Sequence, residues 1–405
     1  MSRPLLPEVA PGRVVGVDVA RALALVGMMA THMLPGLVGT HVPWAQQVAG
    51  GRASALFAVL AGVSVALVSG RTRPVRGRER YAVSTRLVVR SLVIGALGLT
   101  LGLVPTGIAV ILAYYAVLFL LGLPFLGLRA PALALLAGVW AVAGPALSLV
   151  LRPHLPGHEV GSPTPGSLTA PLHLFNELLF VGYYPAAVWL AYLLAGMAIG
   201  RTDLLRRGVD VVLLVGGVGV AVAGTVLSRV LLSRDDARAA LAATYPDQGV
   251  GQDPDLLAAT LTHGLHGTTP TGSWWWLATV APHSGSPLDL AQTIGIATAV
   301  LGLCLLATRV RPRVWAAVFG GGAMTLSLYT LHVLMMGEGW WPDLEAPANY
   351  PDQVLIVLGV GAGFALVPLR GPLETLVARL SRAAAAPWTH PAPSTASGGG
   401  ARRRR

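Results

Sequence analysis

The sequence contains no lysine: all 29 of its basic residues are arginine, which points to the base composition of the gene rather than to chemistry. It has one cysteine, Cys304, inside an apolar run, so an intrachain disulfide and a thiolate metal cluster are excluded. Charge is scarce, at 12% of residues, against roughly 25% in an average soluble domain. A chain this poor in charge is not built from two or three soluble domains, as its length alone would suggest. A net charge of +11 would fit a nucleic-acid binder, but the arginines fall in short loops between apolar stretches, and no nucleic-acid partner is expected. A cleavable signal peptide is not expected either, because the first apolar run already holds Asp18 and Arg21 and lacks a cleavage site.

What is present is hydrophobicity: 54% of residues are apolar and the mean hydropathy is +0.65. Apolar stretches of roughly 20 residues mark membrane spans. They fall at about 14–34, 53–70, 87–104, 107–127, 130–151, 179–200, 208–232, 288–308, 314–337 and 353–369. The expected fold is therefore all-α, a polytopic membrane protein with about ten transmembrane helices. Arginine sets its orientation. Every second loop is Arg-rich, from Arg3 and Arg13 through Arg71–Arg86, Arg129, Arg201–Arg207 and Arg309–Arg313 to Arg370–Arg382. The loop after the ninth span is acidic instead (Glu338, Asp343, Glu345, Asp352). This alternation places both termini in the cytoplasm, and with the base composition that the all-arginine usage suggests, the expected location is the cytoplasmic membrane of a bacterium. One transmembrane domain is expected over 1–383, with long outer loops at about 152–178 and 233–287. A disordered basic tail over 384–405 ends in arginines such as Arg404 that can meet anionic lipid.

Histidine follows the opposite rule. His32, His41, His154, His158, His173, His263, His266, His283 and His332 all belong to outer loops or outer halves of spans, and His390 alone lies in the tail. This predicts a histidine-bearing outer vestibule. The spacings His154/His158 and His263/His266 fit one helix face, but no carboxylate completes a set and no metal is expected. In Pro282–Leu290 (PHSGSPLDL), His283, Ser284 and Asp289 invite a triad reading. The pattern fits better a helix start, with Ser286 as N-cap and Pro287 in the first turn. Ser233–Tyr245 reads as a short helix in the second long loop. Glycine, 49 residues in all, suits close helix packing and leaves room for a homodimer. Most informative are Asp18 and Arg21, three residues apart and so on one helical face. Charges at membrane depth usually face a protein interior or a wet cavity. The same helix delivers His32 at its far end.

The segments Arg13–Met33, His41–Trp44 (HVPW) and Gly51–Leu67, followed by Ile111–Leu126, Gly182–Arg201, Pro282–Leu290, Gly322–Leu334 and Arg370–Glu374, occur in an order that resembles the heparan-alpha-glucosaminide N-acetyltransferase-like membrane acyltransferases and their bacterial relatives. The resemblance covers most of the chain except the long loops and the tail. It implies an acyl-CoA-dependent acyltransferase, with acetyl-CoA or another acyl-CoA as co-substrate. The acyl group would move from the cytosol to an extracytoplasmic glycan, amino sugar or lipid-linked acceptor. By resemblance His41 falls on the family's catalytic histidine. His32 falls on a position of the same site that is often asparagine in relatives.

His41 would deprotonate the acceptor or carry the acetyl group itself, and His32 would assist at the oxyanion. Asp18 and Arg21 match a signature pair of the family. They lie 14 and 11 residues inward of His32, about 16–21 Å along a helix, comparable to an extended pantetheine arm. They are read as near the cofactor, with a purely structural pair as the alternative. Arg71, Arg73, Arg86 and Arg90 are assigned to coenzyme A phosphates, since guanidinium matches phosphate, with Arg201 or Arg309 as further candidates. Trp44, Arg52, His283 and His332 are assigned to the acceptor. The competing reading is a secondary transporter using the Asp18/Arg21 pair; it calls for inverted repeats, and none is visible. A non-catalytic scaffold would leave the embedded charges without a purpose.

Overall fold

The structure, a computed structural model, describes residues 7–158, 161–337, 345–367 and 369–389. Arg3, Glu338, Asp343, His390, Arg404 and the rest of 390–405 lie outside the described residues. Among the described residues, every regular element is a helix apart from one bridge between Val38 and His41. The helices are α1 (Val15–Met33), α2 (Trp44–Ala49), α3 (Arg52–Val68), α4 (Gly77–Leu101), α5 (Leu112–Gly122), α6 (Ala130–Leu151), α7 (Pro171–Asn176), α8 (Ala186–Gly200) and α9 (Val209–Leu232). They continue as α10 (Asp235–Thr244), α11 (Gln248–Gln252), α12 (Pro254–His263), α13 (Pro287–Ala307), α14 (Pro312–Val318), α15 (Thr325–Met335), α16 (Tyr350–Leu366) and α17 (Pro372–Thr389).

Six helical segments are long and apolar enough to cross a bilayer, or seven if Pro171–Val181 and Ala186–Gly200, bent by 53°, form one span. The remaining three of the ten expected spans rest on shorter helices: Leu112–Gly127, α15 and α16. Hydropathy adds up residues without asking whether their helix is continuous. The ninth expected span breaks at Gly320–Ala323, a 3-10 turn between α14 and α15. Three consecutive glycines lower the helix propensity there and let the chain press against α1. A methyl group at Gly322 would overlap the carbonyl of Asp18. We expect Gly322→Ala to destabilise the protein by about 1–3 kcal/mol through overpacking. Gly359→Ala, where the added carbon meets nothing within 4 Å, should be neutral or slightly stabilising. Thermal unfolding in detergent measures both.

At the centre α3 and α8 cross where Gly62 faces Gly196; a side chain on either would enter the other helix's backbone. Small residues at such crossings replace the hydrophobic drive that lipid removes. α9 packs on α13 through Gly217, Gly295 and Gly302 and turns Val212, Val215 and Val230 outward, as a helix facing hydrocarbon can. Arg201, just past α8, is almost fully buried. Its guanidinium donates to the carbonyls of Ala66, Ser69, Arg71, Leu126 and Leu128 and to Ser69 Oγ, closing the end of α3. Arg309 pairs with Asp210. Both arginines are thus occupied by the fold.

The expected tail boundary at 383/384 falls inside α17. Alanine-rich 383–386 favours helix, Ala385 is buried, and Trp388 stacks on Tyr81 of α4 at 5.3 Å. Glu374 fastens α17 to the start of α15. Its carboxylate accepts from the backbone N–H groups of Leu326 (2.8 Å) and Ser327 (3.1 Å) and from Ser327 Oγ (2.6 Å).

Candidate functional site

On the side of the Arg-rich loops, α1, α3, α4, α5, α15 and α17 enclose a cavity of about 550 Å³. Arg21, Arg86, Arg90, Arg370 and Arg382 line it among apolar walls such as Phe57, Leu87 and Tyr329. Arg21 is fixed from behind. Asp18 is buried and accepts from Arg21 Nη1 at 3.1 Å and Arg13 Nε at 2.8 Å, while Arg21 Nη2 donates to Ser64 Oγ at 2.6 Å. One carboxylate thus holds two guanidinium groups, and the cavity keeps an excess of positive charge. Arg90 lies 5.2 Å from the Phe119 ring centroid, with its Nε buried and unpartnered. Buried donors without partners are uncommon; with Tyr115 Oη and Ser381 Oγ, also buried and unpartnered, and the arginines around an apolar slot, the lining suits a ligand with phosphates at one end and an apolar arm at the other. Asp18 itself orients Arg21 without lining the cavity. Arg71 donates to the Gly12 carbonyl from an exposed turn, and Arg73 is exposed beside it; neither lines the cavity.

On the opposite side a second cavity, of about 540 Å³, is lined by His32, His158, His263, His266 and His283 together with Tyr183 and Tyr184. His32 Nδ1 meets His332 Nε2 at 3.0 Å, the rings stack at 5.2 Å, and His332 Nδ1 meets Gln353 Oε1 at 2.8 Å. The order of proton positions follows from the end of this chain. The Gln353 oxygen only accepts, and its amide nitrogen is turned to Met336 Sδ. His332 Nδ1 therefore carries a hydrogen, His332 Nε2 accepts, and His32 Nδ1 donates. His32 is left with an unprotonated Nε2, its tautomer set by the partner on the other nitrogen.

His283 is carried by the turn that starts α13. Ser286 caps that helix by accepting from Asp289 N–H, and Asp289 Oδ2 accepts from Gly285 N–H at 3.0 Å. The triad-like pattern of the sequence is thus a helix cap. The turn forces His283 to φ +57° between Tyr183 and Tyr184. Burial, then His266, His263 and Arg52, push the His283 imidazole down to about 4; burial and then His266 lower His263. The unfolded chain therefore binds protons at His283 between about pH 4 and 6.5 that the folded chain refuses. Stability is expected to be full above pH 6.5 and to fall as pH drops toward 4, by up to a few kcal/mol. Unfolding temperature recorded against pH should show this slope, and His283→Gln should flatten it.

The two cavities share α1, which puts Arg21 in the inner one and Thr31 in the outer one, about 15 Å apart. Tyr329 lines the inner one, and His332, stacked on His32 of the outer one, lies three residues further along α15. Three helical residues rise about 4.5 Å. Leu112 lines the inner cavity and Ala109 the outer one, and Ile111 N–H donates to Tyr329 Oη at 3.4 Å between them. Tyr329, His332 and His32 thus lead from one cavity to the other.

The remaining expected site residues lie elsewhere. His41 is exposed in a tight turn closed by paired backbone bonds with Val38, and it lines neither cavity. Trp44, 72% exposed, opens α2, and Arg52 donates to the carbonyl of Gly50 at the rim of the outer cavity. One residue that sequence reasoning left without a role stands out. Glu177 is buried in a one-turn π-helix and accepts from Tyr114 Oη at 2.9 Å and His158 Nδ1 at 2.7 Å. A lone carboxylate in the apolar stretch Leu172–Tyr184 is the same signal that marked Asp18, and it would have found this residue.

Among the described residues, no group of three or more His, Cys, Asp or Glu is placed to hold a metal. The transporter reading gains nothing, because Asp18 and Arg21 are engaged with each other, with Arg13 and with Ser64. Residues 13–214 match the family model described as "Heparan-alpha-glucosaminide N-acetyltransferase, catalytic". No curated protein matches the chain. The matched region takes in α1 to α8 and so carries Arg21, His32, Arg86, Arg90, His158 and Glu177.

Proposed function

The chain is a heparan-alpha-glucosaminide N-acetyltransferase-like family member, and from that premise we propose that it moves an acetyl or other short acyl group from cytosolic acyl-CoA to an acceptor across the membrane. The acceptor class is an extracytoplasmic glycan, amino sugar or lipid-linked molecule. The observation that carries this reading is the pair of cavities, one lined by arginine and one by histidine, with α1 carrying Arg21 into the first and His32 into the second. The positive-inside rule puts the arginine side in the cytoplasm. In this reading the chain crosses ten times, three of the crossings on short or broken helices, with both termini inside.

Arg86, Arg90, Arg370 and Arg382 hold the phosphates of the acyl-CoA, and Arg21, braced by Asp18, bonds along its arm. The thioester then lies between the two cavities. His32 attacks its carbonyl carbon with Nε2; the C–N bond forms, the C–S bond breaks, and the thiolate leaves on the inner side. His32 keeps its Nδ1 proton, shared with His332, so the acylated ring is a cation and a good leaving group. The acyl group now faces the outer cavity, where an acceptor hydroxyl or amine completes the transfer. His41, on its exposed turn, has no chemical step in this reading.

The direct test is thiol release from acetyl-CoA by the purified protein, with glucosamine as the acceptor probe. Release that depends on the protein, alone or stimulated by glucosamine, supports the assignment. A folded protein that neither binds acetyl-CoA nor releases CoA overturns it.

A further inference from the structure

The outer cavity contains a second histidine system, chemically unlike the first. His158 lines that cavity, and its Nδ1 lies 2.7 Å from Glu177 Oε1. Glu177 is only 5% exposed. Its backbone opens the π-helix Glu177–Val181, closed by Gly182 N–H donating to Glu177 O at 2.9 Å. Such single π turns are rare and recur at functional sites. The wide turn brings Glu177 against Tyr114, whose hydroxyl donates to Oε1 and accepts from Tyr183 N–H. Only glycine fits at 182, because a Cβ there would fall on the Tyr114 hydroxyl and the Glu177 carboxylate. Described residues near His158 are anchored to the fold. Asn176 Nδ2 donates to the Pro156 carbonyl, and Ser162 Oγ bridges Ile108 O and Val110 N.

A carboxylate accepts only, so His158 carries its proton on Nδ1 and meets a substrate proton with Nε2. The contrast with His32 separates their roles. The chain behind His32 ends at a neutral amide, Gln353, which gives no counter-charge to a proton gained by the ring. The chain behind His158 ends at a buried carboxylate, which orients the ring and stabilises its imidazolium, as the acid member of a hydrolase triad does.

We propose that Glu177 and His158 form the general base of the acceptor half-reaction, with a neutral hydroxyl or free amine as the acceptor group; this rests on the acyl-transfer reading above. His158 Nε2 takes the proton from the acceptor as its oxygen or nitrogen attacks the acyl carbon held on His32. The new C–O or C–N bond forms, the C–N bond to His32 breaks, and its electron pair returns to His32 Nε2. His158, now an imidazolium facing Glu177, releases the proton to water on the outer side. Glu177 acts through His158 and is a positioning residue; His158 is the catalytic one.

The two half-reactions can be tested apart by loading full-length protein in detergent with acetyl-labelled acetyl-CoA and following label on the protein. Glu177→Gln keeps an acceptor oxygen for Tyr114 and His158 and should acylate to the wild-type extent. Its deacylation by glucosamine, or by water alone, should fall by about 10²–10⁴-fold, so that acylated protein accumulates. His158→Asn should behave likewise, and Tyr114→Phe should retain most of the rate. Hydroxylamine, which requires little help in losing a proton, should strip wild type and Glu177→Gln at similar rates. Wild-type deacylation should rise with pH along a histidine titration that Glu177→Gln loses. Deacylation of Glu177→Gln at the wild-type rate overturns the proposal, and so does a folded Glu177→Gln that cannot be acylated. A wild type that never releases CoA defeats the acyltransferase reading instead.

Discussion

His32→Ala is expected to reduce acetyl-CoA turnover by at least about 10³-fold, the scale seen when a residue that forms the covalent intermediate is removed, while His41→Ala leaves it close to wild type. The reason is position. His32 lines the outer cavity, and its tautomer is fixed through His332 and Gln353. His41 is exposed on a turn that touches neither cavity. His32→Asn is the sharper variant, since asparagine can still donate to His332 Nε2 but cannot carry an acyl group. It should fold as well as wild type and stay inactive. Initial rates of CoA release for the three variants decide between His32 and the histidine that the family resemblance favours. A dead His41→Ala beside an active His32→Ala would reverse the assignment.

Arg90→Ala should raise the KM for acetyl-CoA by about 10–100-fold with a smaller effect on kcat. A hydrogen bond to a charged group contributes about 1.5–3 kcal/mol, and each 1.4 kcal/mol is tenfold in affinity. Arg90 is the strongest of the lining arginines for this test, because its Nε is buried without a partner. Arg90→Lys should recover part of the loss, as a point charge replaces a planar fork. Arg73→Ala, in an exposed loop away from the cavity, should leave KM unchanged. Equal KM values for Arg90→Ala and wild type would remove the inner cavity as the donor site.

The parts of this site that sequence made legible are those encoded within one helix. Asp18 and Arg21 are three residues apart on an apolar helix, and their pairing follows from helical geometry and the expense of burying charge. The histidine vestibule was legible because topology alone put nine histidines on one side, and five of them line the cavity. What sequence does not encode locally was lost. His32 and His332 are 300 residues apart, and Gln353 is an ordinary polar residue until it meets His332. Arg71 and Arg86 look equivalent in an Arg-rich segment. Only the start of α4 between them turns one outward and the other into the cavity. Hydropathy gives no sign of the glycine turn at 320–323 that breaks the ninth expected span, nor of the alanine-rich run that carries α17 past 383.

The central claim is transfer between two faces, and sidedness tests it most directly. Protein reconstituted in liposomes of one orientation would be given acetyl-labelled acetyl-CoA on the face of the Arg-rich loops and glucosamine on the other. The account predicts labelled acetylglucosamine on the glucosamine side, with CoA released on the arginine side and neither product from His32→Ala. Transfer that occurs only when both substrates share one face, or that proceeds equally with acetyl-CoA on the histidine side, would contradict it.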